Sequence, residues 1–344
     1  MQSFEFRLHL DAPLLLGGVQ AGAVDPGGML RGPSVRGLMR TFARAWLGPM
    51  LKFDPKATRE AERRLLGAAG GSGDGGEPTL RVVDISSGPM DRGSAQVLPH
   101  GKLIKGRMRF GDREAFSAGQ ARRLRFTVRA AAAAREPLLA DALLAVAWSA
   151  FALGSLGNRC RRGFGSMSIV GIDRRGRAAD GPVWLPPDFG PAAARDAGAV
   201  RSTLDQGLSE ARGRIHAWLQ KSGSTHGSAS DEYFFGIGSD GSDTAKVHIG
   251  DLHRSWESFL ATLMKSCHSS LSLHPSAHEG VFGGVNPRRA SPVWIRVYSV
   301  REGLVPVATC PARWPPNASP LQPLQATLGA VGFDPSRHPA IPIA

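Results

Sequence analysis

The sequence predicts an α+β fold, with an N-terminal half on the ferredoxin-like βαββαβ plan and a second domain behind it. Three observations carry this. Phe4, Phe6, Leu8 and Leu10 alternate with Glu5, Arg7, His9 and Asp11, the two-residue period of a half-buried strand. Val35, Met39, Phe42 and Trp46 then recur at helical spacing behind Pro33-Ser34. Leu138–Leu153 is apolar along its length and follows Pro137, a residue suited to the first helical position, so it reads as a buried helix.

The remaining elements fall between these. A loop with Gly17, Gly18, Gly22, Gly27 and Gly28 follows the first strand. The first helix runs to about Leu47, with Ser34 as its expected N-cap. Residues 67–78 (GAAGGSGDGGEP) read as a flexible loop. Leu80–Ile85, Leu103–Phe110 and Leu124–Arg129 are strand candidates, and Ser166–Ile172 is another after the buried helix. The Pro, Gly and Ala-rich stretch from Asp173 to about Gly198 suggests a linker, so we divide the chain into domains at 1–180 and 181–344. The second domain offers helices near 201–220, 252–266 and 320–331. It also offers a hairpin of Val293–Ser299 with Leu304–Thr309, turning at Arg301-Glu302-Gly303.

Composition narrows the function. The chain has 344 residues, with 42 Lys and Arg against 29 Asp and Glu, a net charge of +13 that attracts polyanions. Nucleic acid is the first partner this suggests, although a generally basic surface would give the same sum. Three scattered cysteines, Cys160, Cys267 and Cys310, exclude a disulfide framework. The N-terminus has no signal-peptide apolar core, and the longest apolar run carries Asp141 and is too short to span a membrane. A cytoplasmic location without membrane contact is the expectation.

Charge placement says more than total charge. Arg36, Arg40 and Arg44 are four apart on the first helix, about 130° from its apolar stripe at about 100° per residue. That stripe of arginines holds no acidic residue. Arg31 stands just before the helix, beside backbone N–H groups that favour phosphate. An ordinary amphipathic helix with an arginine face is the plainer alternative. Lys105, Arg107 and Arg109, and likewise Arg123, Arg125 and Arg129, alternate with apolar residues. If these strands pair, one sheet face is apolar and the other basic, able to follow a sugar-phosphate backbone.

The strongest motif is the segment Leu156–Ser166 (LGNRCRRGFGS). Arg159, Arg161 and Arg162 are flanked by Gly157, Gly163 and Gly165, which permit close backbone approach, and Asn158 adds an amide. The segment runs from helix to strand, whereas Walker-A and dinucleotide loops run from strand to helix. It lacks their spacing as well. No nucleotide cofactor is expected, and a polymeric phosphate backbone suits it better, with a flexible basic turn as the bland alternative.

On these residues the chain resembles the RAMP superfamily of CRISPR-associated proteins, above all the first subunit of the Cmr module of type III-B effector complexes. Pro13-Leu14-Leu15-Leu16-Gly17-Gly18 with Arg31-Gly32-Pro33-Ser34-Val35-Arg36-Gly37-Leu38-Met39-Arg40 is similar to the family's GG loop and helix start. Leu156–Ser166 is similar to its G-x-R-x-R-R-G-x-G loop, and Arg289-Ala290-Ser291-Pro292-Val293 to a short element before a C-terminal strand. After Arg40 the family's tryptophan-rich run is replaced by Thr41-Phe42-Ala43-Arg44-Ala45-Trp46.

The resemblance implies two ferredoxin-like (RRM-like) domains, the second RAMP-like. It further implies an antiviral ribonucleoprotein whose partners are guide RNA, target RNA and other Cmr subunits. This subunit would cap the backbone filament near the 3′ end of the guide. The expected RNA-binding residues are Arg31, Ser34, Arg36, Arg40, Arg44, Gly157, Asn158, Arg159, Arg161, Arg162, Gly163 and Gly165.

A catalytic role is not expected. Related filament subunits cut target RNA with a loop aspartate, and Asp25 occupies that loop here, so an endoribonuclease is the alternative. Asp25-Pro26 is also an ordinary turn former. His9 and His100, candidates for guide processing, have no evident base partner, and His9 reads as a solvated strand residue. His253, Cys267, His268, His274 and His278 match no familiar zinc spacing, so no metal is expected.

Overall fold

The computed structural model describes residues 2–18, 23–67, 79–97, 111–175, 184–190, 194–223, 245–273, 291, 293–310, 328–329, 332–333 and 339–343. In chain order the elements are β1 (Gln2–Leu10), α1 (Gly32–Met50), α2 (Pro55–Leu66), β2 (Leu80–Asp84), β3 (Arg92–Val97), β4 (Gly111–Phe116) and β5 (Ala121–Val128). They continue with α3 (Ala130–Arg135), α4 (Leu139–Leu153), β6 (Met167–Arg175), α5 (Ala197–Lys221) and β7 (Ala245–Ile249). The last are α6 (Trp256–Leu273), β8 (Trp294–Val300), β9 (Gly303–Cys310) and β10 (Ile341–Ile343).

Two antiparallel sheets share one plan. The first has the order β2-β5-β1-β6 and the second β10-β7-β9-β8. Numbered within each unit, both read 2-3-1-4 in one direction or the other, the strand order of the ferredoxin-like fold. In the first unit α2 and the hairpin β3–β4 are insertions. The long helix α5 is an addition between the units.

Period-two alternation builds the first sheet. Phe4, Phe6, Leu8 and Leu10 are buried, and β1 pairs with β5 so that Phe4 faces Phe126 and Phe6 faces Leu124. Phe4 and Phe126 stack with centroids 4.7 Å apart. The apolar stripe of α1 buries Val35, Met39, Phe42 and Trp46 over this sheet. Trp46 Nε1 donates to Ser149 Oγ at 3.0 Å, satisfying its polar atom inside the α1–α4 contact. Residues 142–153 of α4 are buried on every side, as its unbroken apolar run requires. In α5, Gly207 meets Trp148 so closely that a Cβ would come within 2.2 Å of the ring.

Several expectations are corrected. Helix α1 begins at Gly32 with Arg31 as an extended N-cap, and Ser34 lies inside the first turn with no side-chain cap bond. Pro33 explains this: it lacks an N–H and its fixed φ suits the first turn, so the helix starts before Ser34 rather than at it. Pro137 separates α3 from α4 instead of opening α4. Helix α2, which the sequence does not announce, has a weak apolar stripe that includes Glu62. Its start is nonetheless marked by Asp54, whose carboxylate accepts from Lys56 and Ala57 N–H, followed by Pro55. The hairpin β8–β9 forms as expected, with Val300 opposite Gly303. Residues 68–78, the candidate strand Leu103–Phe110 with Lys105, Arg107 and Arg109, and most of the expected helix 320–331 lie outside the described residues, as does the boundary at 180.

Candidate nucleic-acid interface

The Gly/Arg loop is folded into the joint between the two sheets. Its backbone takes left-handed φ at Gly157 (82°), Arg159 (59°), Gly163 (86°) and Gly165 (66°). Asn158 N–H donates to Leu15 O at 2.8 Å and Gly165 N–H to Pro13 O at 2.9 Å, tying the loop to the segment after β1. On its other side Gly163 N–H donates to Ile295 O at 2.8 Å and Ile295 N–H to Arg161 O at 3.3 Å, so the loop pairs alongside the edge strand β8.

The close approach that the glycines permit is to the protein itself. A Cβ at Gly165 would stand 2.0 Å from Leu156 O, at Gly157 2.7 Å from Leu15 O, and at Gly163 3.0 Å from the Phe259 ring. Protein atoms fill the space beside these glycines.

The three arginines divide by role. Arg161 turns into the joint, donating to Ser291 O and lying 4.6 Å over the Trp294 ring. Two of the motifs singled out in the sequence thereby touch each other. Arg159 and Arg162 are half-buried, and Arg162 stands in bridge register with Ile295 of β8. Burial, then the neighbouring Arg113 and Arg162 charges, hold the Arg159 pKa below its ordinary value.

The helix-start element meets the loop at Gly17. Arg31 Nη2 donates to Gly17 O at 2.9 Å, and a Cβ on Gly17 would come 3.5 Å from Asn158 Nδ2. Arg31 and Asn158, distant in sequence and both exposed, therefore flank one short stretch of backbone. Asp25 belongs to the same corner. Its Oδ2 lies 3.3 Å from Arg31 Nε and its Oδ1 accepts from Gly27 N–H at 3.0 Å. The aspartate is a turn former and a counter-charge.

Other arginines are already paired. Arg40 and Arg44 both clasp Glu62 of α2, with Arg40 Nη1 at 2.5 Å from Oε1, and Arg40 also donates to Gly67 O at 2.6 Å. The arginine face of α1 thus finds its acidic partner on another helix. Arg36 is half-buried and has no such partner among the described residues. On the sheet, Arg123 and Arg125 grip Glu5 at 2.9 and 2.7 Å. Burial pushes the Glu5 pKa up, but hydrogen bonds from both guanidiniums outweigh it and hold the carboxyl below its ordinary range. The expected basic sheet face is largely neutralised there, because Glu5 pairs across from Arg125 in register.

His9 is not a free solvated residue. Its Nδ1 lies 3.2 Å from Asp11 Oδ1, and this hydrogen bond, opposed by burial, raises its pKa. Asp11 is fully buried and pairs with Arg296 of β8. Nothing in the sequence announces this pair, since neither residue stands in a motif. His253 packs edge-on against Phe259, 5.4 Å between centroids. His100, His274 and His278, and the side chains of Cys267 and His268, lie outside the described residues, as do Arg289, Ala290 and Pro292.

Comparison with known proteins agrees with this geometry. The family model of the RAMP superfamily matches residues 7–168, from within β1 to the start of β6, and so takes in α1 and the Gly/Arg loop. No curated protein matches the chain in sequence. Among solved structures, Cmr1 from Pyrococcus furiosus in its apo form is 17% identical and covers 100% of this chain and 99% of its own, with a TM-score of 0.54. A chain of the type III-B Cmr-beta complex bound to cognate target RNA is 10% identical, with coverage of 96% and 98% and a TM-score of 0.61. A further chain comes from the same kind of complex with target RNA and AMPPnP in the presence of ssDNA. It is 9% identical, covers 95% and 98%, and has a TM-score of 0.58. Residues 7–168 are thus similar to the RAMP superfamily, and over its length the chain has the fold of Cmr1.

Proposed function

We propose that this protein is a non-catalytic RNA-binding subunit of a type III CRISPR effector complex in the cytoplasm. Its partners are guide RNA, target RNA and other Cmr subunits, and it caps the backbone filament near the 3′ end of the guide. The observation that carries the reading is the meeting of Arg31 and Asn158 at Gly17, with Arg159 following in the loop. These groups give a sugar-phosphate backbone charged and polar contacts without base readout. Arg36 adds a cation on the first turns of α1, and Arg44 keeps half of its side chain exposed beside it. Arg40, Ser34 and the three loop glycines serve this surface by shaping it, and Arg161 and Arg162 by fixing the loop.

RNA that copurifies with the chain and its partner subunits tests the proposal. Small RNAs sharing a repeat-derived 5′ tag are expected, and a heterogeneous RNA population overturns the CRISPR assignment. The alternative, an endoribonuclease acting through Asp25, predicts loss of target cleavage in Asp25→Ala. With Asp25 engaged by Arg31 and Gly27, undiminished cleavage by the assembled complex is expected.

A further inference from the structure

The inserted hairpin brings a cation to the Gly/Arg loop that no sequence motif contains. Strands β3 and β4 pair so that Ala95 faces Arg113, and Arg113 shares its face of β4 with Ala115. Ala95 and Ala115 are buried in one apolar cluster with Ala12, Leu15 and Phe164, the last being part of the loop itself. The side of the hairpin that carries Arg113 is therefore the side seated on the loop. Asp112 and Glu114 alternate to the opposite side, where Glu114 accepts from Val24 N–H at 3.2 Å and pairs with Arg92.

Across from the hairpin stands Arg159, held in a left-handed conformation (φ 59°) that a non-glycine residue adopts only when its surroundings impose it. Arg113 is exposed and Arg159 half-buried, and neither has a carboxylate partner among the described residues. Each lies in the other's field, with Arg162 adding to it. Two like charges such as Arg113 and Arg159, with no carboxylate partner among the described residues, cost free energy that a bound anion removes.

We infer that Arg113 on the inserted hairpin and Arg159 on the Gly/Arg loop form one RNA phosphate site, so that hairpin and loop hold the same strand. The inference rests on the RNA-binding reading above. It extends the RNA-binding surface from the two motif elements to an insertion outside them.

The test compares the full chain with R113E, R159E, the double variant and D112A. Two readouts are used: fluorescence anisotropy with labelled oligouridylate across a KCl series, and thermal unfolding without RNA. R113E and R159E should each weaken binding about tenfold, the weight of one charge-assisted phosphate contact. The log–log salt slope should fall by about 0.7 for each phosphate that is no longer neutralised. The double variant should lose far less than the product of the singles, because both act on one phosphate. Without RNA, R113E should melt higher than the unmutated chain at low salt, since it turns a repulsion into an ion pair, and the gain should vanish at high salt. D112A, on the far side, should bind as the unmutated chain does.

Weaker binding joined to a higher melting point cannot come from misfolding, and R113Q supplies the same two readings if R113E does not fold. Unchanged affinity in R113E alongside a weakened R159E overturns the shared site and leaves the RNA-binding reading standing. Failure of the unmutated chain, free and in its complex, to bind oligouridylate overturns that reading and the shared site with it.

Discussion

Asp11 and Arg296 lie 285 residues apart and meet as a buried ion pair, Arg296 Nη2 standing 3.2 Å from Asp11 Oδ2. The pair links the end of the first strand to the second sheet. Asp11 Oδ2 also accepts from Ser168 Oγ at 2.5 Å, and Oδ1 accepts from Ser299 N–H at 3.1 Å. Arg296 donates to Phe151 O and stacks on Tyr298, 3.7 Å from the ring centroid. The Tyr298 hydroxyl donates to Ala152 O at 2.5 Å, and burial holds its pKa well above the ordinary tyrosine range. The docking of the two ferredoxin-like units beside the Gly/Arg loop thus rests on a connected set of buried polar groups, in which Arg296 Nε alone of the guanidinium nitrogens has no partner among the described residues.

Removing one partner of this pair should cost about 3–5 kcal/mol, because the other charge stays buried without compensation. Arg296→Met and Asp11→Asn should each show this loss in urea unfolding. The double variant should lose less than the sum of the singles, and additivity would mean that the two groups do not interact.

His9 adds a pH dependence to the joint. Its folded pKa is raised from an ordinary 6.5 by the hydrogen bond to Asp11. The protonated form is therefore favoured in the folded chain, and its contribution is complete below the ordinary value. It is lost as pH rises through the raised one. Unfolding in urea at a series of pH values should show the unmutated chain losing its advantage over His9→Gln on going from mildly acidic to alkaline buffer.

Gly165→Ala should destabilise by more than about 2 kcal/mol, since a left-handed alanine costs roughly 1–2 kcal/mol before any clash. Its Cβ would also stand 2.0 Å from Leu156 O. Gly213→Ala in α5 is the control: nothing lies within 4 Å of its Cβ, so it should stabilise by about 0.5–1 kcal/mol. Thermal melts of the two variants check both signs.

Glu62→Gln should lower stability by about 1–3 kcal/mol, the range for a lost charge-assisted bond at a partly buried site. It frees Arg40 and Arg44 from their shared carboxylate, and RNA affinity should rise or hold while stability falls. A fall in affinity would show that the α1 arginines act only when Glu62 fixes them.

Much of the architecture is legible because it rests on local periodicity. Phe4 to Leu10 announce β1 by alternation, residues 138–153 announce α4 by an unbroken apolar run, and Val293 to Thr309 announce β8 and β9 around a glycine turn. Helix α2 escaped because its buried stripe includes a glutamate. The pair β3–β4 escaped because Arg92–Val97 and Gly111–Phe116 carry too few apolar residues to show a period.

The α+β class, the two motif elements and the family they resemble could be read from residue order, since spacing along a chain is a property of the chain. What each arginine contacts was decided in three dimensions. Glu62 reaches Arg40 and Arg44 from another helix, Glu5 reaches Arg123 and Arg125 from a neighbouring strand, and Ser291 and Trp294 hold Arg161 from the second sheet. Arg113 and Arg159 stand in each other's field with no carboxylate among the described residues folded into reach. Coulomb energy depends on distance in space and on burial, and neither is written in the order of residues.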